Sequence, residues 1–329
     1  SLRRSALARD SGDNVAMDDP DVTVIGAGVA GLVAGMTAAR HGLDTLVVDQ
    51  VGVGGQVLNV ESIEDYPGLP DGVSGYELGP LLHAQAEAAG AGFRLDTIEA
   101  AEAVGDRWLV RGAENEYQTA ALVVATGSRA RSLGVPGEDA LFGRGVSHCA
   151  TCDGPLYAER DVCVIGGGDS AVQEAVTLSG LSARVTIIFE GQGLTAQQAL
   201  QAKLAGRANV ELRPATRVRE IMGDGAVAAV HLDGGPGAGD ETLEVAGVFV
   251  YVGLEPASSW LGDLVDLDPG GHIETDLMMR TSRPGIFAAG DVRSQSAGQL
   301  ACAAGDGATA AVAAFRYLQA QRGAPPPAR

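Results

Sequence analysis

One pattern, written twice, constrains this chain more than anything else in it. A short β-branched run, Asp21-Val22-Thr23-Val24-Ile25, ends in Gly26-Ala27-Gly28-Val29-Ala30-Gly31. An Ala-rich helical stretch follows to about His41-Gly42, then a second apolar run, Thr45-Leu46-Val47-Val48, closed by Asp49. Strand, glycine turn, helix, strand and acid in that order make one βαβ unit. The order recurs in Asp161-Val162-Cys163-Val164-Ile165, Gly166-Gly167-Gly168-Asp169-Ser170-Ala171, a helix to about Ser182, and Val185-Thr186-Ile187-Ile188-Phe189 closed by Glu190. Two such units predict an α/β chain with two Rossmann-like dinucleotide-binding domains.

The glycines of the first loop have separate tasks. Gly26 permits the tight turn, Gly28 lets the backbone approach a pyrophosphate, and Gly31 allows helix and strand to pack closely. The helix then turns its unpaired N–H groups on the phosphates, and Asp49 stands where a ribose diol would be held. A lone glycine fingerprint is a weak signal, but here strand, helix and closing acid are all in register.

The length of 329 residues also fits two domains. Two crossings are expected, one from Thr126-Gly127-Ser128 to Gly137 and the other at Tyr251-Val252-Gly253-Leu254-Glu255-Pro256. They divide the chain into a discontinuous domain, 20–126 with 257–322, and an inserted domain, 127–256. Residues 1–19, with Arg3, Arg4 and Arg9 but no apolar core, are expected to be a disordered extension without a targeting signal. Residues 323–329 form a frayed Pro-rich tail. The Gly-rich stretch from Asp233 to Asp240 is expected to be a hairpin tip, and the last helix to run from about Gly307 to Gln321.

Composition excludes several classes. The net charge of −19 would repel phosphate backbones and anionic lipid, which argues against nucleic-acid and membrane partners. No apolar run reaches the roughly 18 residues a membrane span needs. Four Cys are too few for a disulfide framework and point to a reducing, cytoplasmic setting. The 47 Gly, about double the usual ~7% share, call for tight turns and close ligand approach rather than a collagen repeat, since no Gly-X-Y period exists.

The sharpest chemical signal is Cys149-Ala150-Thr151-Cys152-Asp153. Two Cys three apart can close a small disulfide, and a neighbouring carboxyl can move a proton as a thiolate forms and leaves. Half of a zinc site and a reduced structural pair are the competing readings. No second C-x2-C exists and the five His lack ligand spacing, so no metal is expected. Cys163 lies in an apolar strand pattern and reads as an inert core residue, and Cys302 reads as packing.

Three further motifs carry a resemblance. They are Gly52-Val53-Gly54-Gly55-Gln56-Val57-Leu58-Asn59 with Glu64-Asp65-Tyr66-Pro67-Gly68, Ala125-Thr126-Gly127, and Gly285-Ile286-Phe287-Ala288-Ala289-Gly290-Asp291-Val292. Together they resemble the FAD-contacting motifs of flavoprotein disulfide reductases. Gly145-Val146-Ser147-His148-Cys149-Ala150-Thr151-Cys152-Asp153-Gly154 resembles the redox motif of the low-molecular-weight thioredoxin reductases, and the likeness spans residues 21–320 in motif order and spacing. It implies FAD held by Gly26, Gly28, Gly31, Asp49, Gly55, Gln56, Asn59, Thr126, Gly127, Gly290, Asp291 and Gln299. It implies a nicotinamide site at Gly166, Gly168, Asp169, Ser170 and Glu190. Electrons would pass from a nicotinamide through FAD to a Cys149–Cys152 disulfide. Cys152 would be next to the flavin, Cys149 would attack the substrate disulfide, and Asp153 would donate and accept the proton. The resemblance further implies domain rotation between half-reactions, a homodimer, and Arg144 as a contact to thioredoxin.

The chain also departs from that family. NADPH-dependent members carry His-Arg-Arg after the second strand and a further Arg four residues on. Here those positions are Phe189, Glu190, Gly191 and Thr195. A carboxylate would hydrogen-bond a free ribose 2′-OH and repel a 2′-phosphate, so NADH is expected over NADPH. Donation from ferredoxin, or a dithiol oxidase without a nicotinamide, is the alternative, and a non-catalytic FAD sensor is a rival of another class. Pro155 and Leu156 replace two aromatics that receive thioredoxin, and Gly298-Gln299 replaces an Arg-Gln pair. A small disulfide or dithiol therefore stands beside a thioredoxin-like protein as the expected partner.

Overall fold

The structure is a computed structural model that describes residues 19–234 and 239–323. The expectations for 1–18 and for the tail beyond 323 lie outside the described residues. Along the chain, β1 (Val22–Ile25), α1 (Val29–Arg40) and β2 (Thr45–Asp49) form the first βαβ unit, followed by α2 (Gly75–Ala89) and β3 (Gly92–Leu95). An antiparallel meander of β4 (Ile98–Val104), β5 (Arg107–Gly112) and β6 (Glu116–Thr119) leads into β7 (Ala121–Val124) and the short β8 (Ser128–Ala130). Next come α3 (Glu138–Leu141), β9 (Val146–Ser147) and α4 (Ala150–Asp153). The second βαβ unit is β10 (Asp161–Ile165), α5 (Asp169–Ser179) and β11 (Arg184–Ile188), extended by α6 (Gln198–Ala205) and β12 (Val210–Arg213). A second meander, β13 (Arg217–Gly223), β14 (Val227–Asp233) and β15 (Asp240–Glu244), is followed by β16 (Gly247–Val250) and β17 (Leu254–Pro256). β18 (Ile286–Ala288) and α7 (Leu300–Gln321) complete the chain.

The first sheet has the order β18-β7-β1-β2-β3 and the second β12-β11-β10-β16-β9, each parallel throughout. β18 pairs with β7, so the chain returns to its first sheet after building the second. Strands buried on both faces read as unbroken apolar runs, which is why Val22–Ile25 and Ala121–Val124 are apolar at nearly every position. Alternation then sorts the side chains. Val24, Val47 and Val123 meet α1, α2 and α7, whereas Ile25, Val48 and Val124 meet Trp108, Val110 and Tyr117 of the meander. The second sheet repeats the plan. Val162, Val164 and Ile187 face α5, and Cys163, Ile165 and Ile188 face Val218, Ile221 and Leu232.

α7 begins at Leu300, earlier than the sequence pattern predicts, and runs through Gly305 and Gly307. A Cβ on Gly307 would lie 2.1 Å from the Ala30 carbonyl oxygen, so close crossing of α1 and α7 outweighs glycine's poor helix propensity. Asp233 pairs with Asp240 in the expected hairpin, whose residues 235–238 lie outside the described residues. The two expected crossings run side by side: Ser128, Arg129 and Ala130 pair antiparallel with Pro256, Glu255 and Leu254.

Candidate active site

The first glycine loop has the geometry its sequence demands. Gly26 has φ +104°, and a Cβ there would sit 2.2 Å from the Ala125 carbonyl oxygen. A Cβ on Gly31 would lie 1.7 Å from the Gly26 carbonyl oxygen, whereas one on Gly28 would meet nothing within 4 Å. Two glycines thus pack the turn, and the third faces open space at the N-terminus of α1. No side chain caps that terminus and its first turn holds no acid, leaving its N–H groups for a pyrophosphate. Asp49 accepts the N–H of Ala27 at 2.7 Å and those of Val51 and Gly52 at 2.9 Å, tying the strand end to the loop.

Other expected contacts gather around this loop. Gly28 bridges to Gly54, and a Cβ on Gly55 would come within 2.9 Å of the Gly28 Cα. Gly290 has φ +76° and lies against Ala30. Its N–H donates to Asp306 Oδ2 at 3.2 Å, and Asp291 accepts from Ser296 Oγ at 2.7 Å. Thr126 Oγ1 donates to the Ala257 carbonyl at 2.8 Å, beside Gly127, and Gln56 Nε2 reaches Ser128 Oγ at 3.1 Å. Gln299 is the N-cap of α7. Uncapped N–H groups, an open glycine and close-packed turns fit the pyrophosphate of an FAD.

The second loop repeats the arrangement with differences. Gly166 has φ +134° with the Tyr251 carbonyl 2.2 Å from its Cβ position, and Gly168 is open except for Thr195 Oγ1 at 3.9 Å. Asp169 opens α5, ahead of Ser170, and its carboxylate accepts Gln197 N at 2.7 Å and Gln197 Nε2 at 2.9 Å. Thr195 N donates to the Gly167 carbonyl at 2.8 Å, so the segment after β11 folds against the glycine loop. Glu190 is exposed and ion-paired with Arg217 at 2.8 Å. Arg217 opens β13, distant in sequence, and the strand pattern gave no sign of it.

Cys149 and Cys152 are joined as a disulfide, which decides among the readings of that pair. Cys149 is the N-cap of α4, its sulfur accepting the Cys152 N–H at 3.1 Å. Thr151 Oγ1 donates to the Asn59 carbonyl at 2.9 Å, and Cys152 Sγ lies 3.9 Å from Asn59 Oδ1. The redox turn therefore sits on the Gly55–Asn59 loop of the first unit. Asp153 accepts from Ser147 Oγ at 2.6 Å, and Ser147 Oγ in turn accepts the Cys149 N–H at 3.0 Å. Ser147 was not among the sequence candidates, although it stands two residues before Cys149.

The remaining candidates lie apart from the disulfide or act structurally. Arg144 is exposed, beside Glu220 and Met222 in a shallow cleft of its own. Cys163 is fully buried and its thiol is pushed up to about 12 by burial, in keeping with an inert core residue. Cys302 corrects the sequence reading: it is exposed in the first turn of α7 rather than packed, because its helix begins earlier than the pattern shows.

Residues 20–308 match the pyridine nucleotide-disulphide oxidoreductase family model. A thioredoxin reductase of Listeria innocua is 39% identical over 300 residues, covering 91% of this chain and 94% of that protein. A solved thioredoxin reductase of Lactococcus lactis superposes with a TM-score of 0.88 at 36% identity, covering 91% of this chain and 99% of that one. That of T. acidophilum gives 0.87 at 35%, covering 90% and 98%. The chain belongs to the pyridine nucleotide-disulphide oxidoreductase family, on its low-molecular-weight thioredoxin reductase branch. Its activity is FAD-dependent disulfide oxidoreduction, with Cys149–Cys152 as the disulfide on the chain itself.

Proposed function

We propose that this chain takes reducing equivalents from NADH in preference to NADPH and delivers them through Cys149–Cys152 to a thioredoxin-like protein or a small disulfide. The observation that carries the reading is the seating of the disulfide on the FAD-side loop, through Thr151 on Asn59 and Cys152 Sγ at 3.9 Å from Asn59 Oδ1. When bound, FAD supplies the two-electron relay between a hydride donor and a disulfide. Cys152 is the sulfur on the cofactor side. Opening the bond leaves Cys149 to attack a substrate disulfide, while Asp153, held by Ser147, gives and takes the proton. The relatives are thioredoxin reductases, which favours a thioredoxin-like partner, and Pro155 and Leu156 leave room for a smaller one.

The donor side rests on Glu190, which closes the second strand of its unit as Asp49 closes that of the first. The domain division 20–126 with 257–322 against 127–256 is supported by the two sheets and by the β8–β17 pair at the crossings. That pair is the hinge of this reading, and a homodimer is its assembly. Anaerobic titration of the holoprotein with NADH and with NADPH tests the donor. NADH is expected to bleach the flavin at the lower concentration. Rapid bleaching by NADPH at low concentration overturns the NADH assignment, and bleaching by dithiols alone moves the chain to an oxidase. Cys152→Ser is expected to keep FAD and lose disulfide turnover.

A further inference from the structure

Beneath the redox turn lies a carboxyl that none of these roles uses. Glu174 sits on the inward stripe of α5 with Ala171, Ala175 and Leu178 and is 7% exposed. The N–H groups of Ala150 and Thr151, the first two residues of α4, turn toward it, as does the Tyr251 hydroxyl. Tyr251 shares the Ala150 N–H, accepting it at 3.0 Å. Among the described residues, Glu174 Oε2 has no hydrogen-bond partner. A buried carboxylate with one bare oxygen is costly, and an apolar residue would fill an α5 core position better.

The charged groups around it are few. Glu61 faces it from the first unit and opposes its ionisation, and Asp153 on α4 acts on Tyr251. Burial is the main influence and pushes Glu174 up to about 7, against the pull of the α4 N–H groups and Tyr251. Glu174 and a thiolate at Cys149 would share the same end of α4. Ionised Glu174 engages the Ala150 and Thr151 N–H groups while the Cys149 sulfur takes the Cys152 N–H, and the charge of Glu174 repels a thiolate there. When Glu174 is protonated, that penalty vanishes.

We propose that Glu174 is a positioning residue for the disulfide chemistry: it takes up a proton as the Cys149–Cys152 bond opens, and its charge sets the acidity of the attacking thiol. In balance, FAD when bound would supply two electrons; as the S–S bond opens, one sulfur receives a proton through Asp153 and the other is left as thiolate. Glu174 takes one proton from solvent, so the net charge beneath α4 is unchanged until the thiolate attacks the substrate. The proposal rests on the redox reading of the pair, but its test does not need turnover, so the two can fail separately.

The test is the pH profile of Cys149 alkylation by iodoacetamide in the FAD-loaded Cys152→Ser protein, with and without Glu174→Gln. Above about pH 7, where Glu174 is ionised in the parent, removing the charge is expected to lower the apparent thiol pKa by about one unit and to speed alkylation several-fold near pH 8. Below about pH 6 the two profiles should converge. Glu174→Asp should restore the original profile, which a merely structural role would not require. An identical profile with Glu174→Gln overturns the proposal. If that variant does not fold, the wild-type holoprotein still decides. Its reduced-minus-oxidised infrared spectrum should gain a protonated-carboxyl band at neutral pH, and absence of the band overturns the proposal equally.

Discussion

Arg217 holds Glu190 in an ion pair, Nη2 to Oε2 at 2.8 Å, across the end of β11. Both side chains are more than half exposed, at 59% and 65%, so the pair is solvent-screened and contributes little to stability. Its weight is local. In the proposed donor site Arg217 would offset part of the charge with which Glu190 repels a 2′-phosphate, while the carboxylate, 65% exposed, would stay accessible to a ribose.

The first prediction follows from that geometry. Glu190→Arg places two cations where one pair stood and should shift the NADPH-to-NADH ratio of kcat/KM at least tenfold, about 1.4 kcal/mol, toward NADPH. Glu190→Gln should raise KM for NADH several-fold with kcat little changed. Steady-state kinetics with both donors would check this. An unaltered ratio in both variants means that the ribose is held elsewhere.

Two glycines of the first loop should separate folding from cofactor binding. A Cβ on Gly31 would lie 1.7 Å from the Gly26 carbonyl oxygen, so Gly31→Ala should cost about 1–3 kcal/mol through forced backbone movement. Gly28→Ala meets nothing within 4 Å and should leave the apoprotein's stability within about 0.5 kcal/mol. It should nonetheless weaken FAD binding, because the new methyl occupies the face open to the pyrophosphate. Urea unfolding of the apoproteins and FAD titration give the two readouts.

Much of this was legible in the sequence, for a physical reason. The βαβ units announce themselves because Val22–Ile25 and Asp161–Ile165 must be apolar on both faces, and because Gly26 and Gly166 must adopt positive φ. Cys149 and Cys152 are legible because both ends of their bond lie within one helical turn. Arg217 and Glu174 are not, because their partners lie on other elements and no spacing rule joins them. Glu174 did leave a trace, a carboxyl in the stripe Ala171, Ala175, Leu178 where an apolar residue belongs. Cys302 was misplaced for the same kind of reason: the start of α7 is set by packing on α1, not by local propensity.

Two buried carboxyls should shape stability against pH in opposite directions. Glu174, raised by burial to about 7 in the fold from 4.5, contributes fully below about pH 4.5, and that contribution is lost as pH rises to about 7. The loss amounts to about 3 kcal/mol as an upper figure. Asp96 behaves otherwise. Burial pushes it up, but hydrogen bonds from Tyr117, Asn115 and the backbone outweigh that and hold it below the usual range. Its contribution is present above the unfolded value near ~3.9 and lost as pH falls through the lower folded value. Urea midpoints should therefore decline from pH 5 to 7.5 in the parent chain and flatten in Glu174→Gln. Equal slopes would remove Glu174 from the account.

The last prediction concerns the turn at Gly290-Asp291. Asp306, buried in α7, holds Arg293 through Nε at 2.5 Å and Nη2 at 3.1 Å, and with the same carboxylate accepts the Gly290 N–H at 3.2 Å. One side chain thus fixes both the turn and the guanidinium behind it. Asp306→Ala leaves Arg293 as an uncompensated cation with its side chain only 17% exposed, which should cost about 3–5 kcal/mol. Asp306→Asn keeps an oxygen to accept from Gly290 and Arg293 Nε but loses the charge and the acceptor for Arg293 Nη2, so it should fall between parent and Ala in stability while retaining most FAD affinity. Pairing Asp306→Ala with Arg293→Met removes the stranded charge and should recover much of the stability. It should not recover FAD affinity, because the Gly290 N–H still lacks its anchor. Parallel recovery of both quantities would mean that the ion pair only supports the core and does not position the turn.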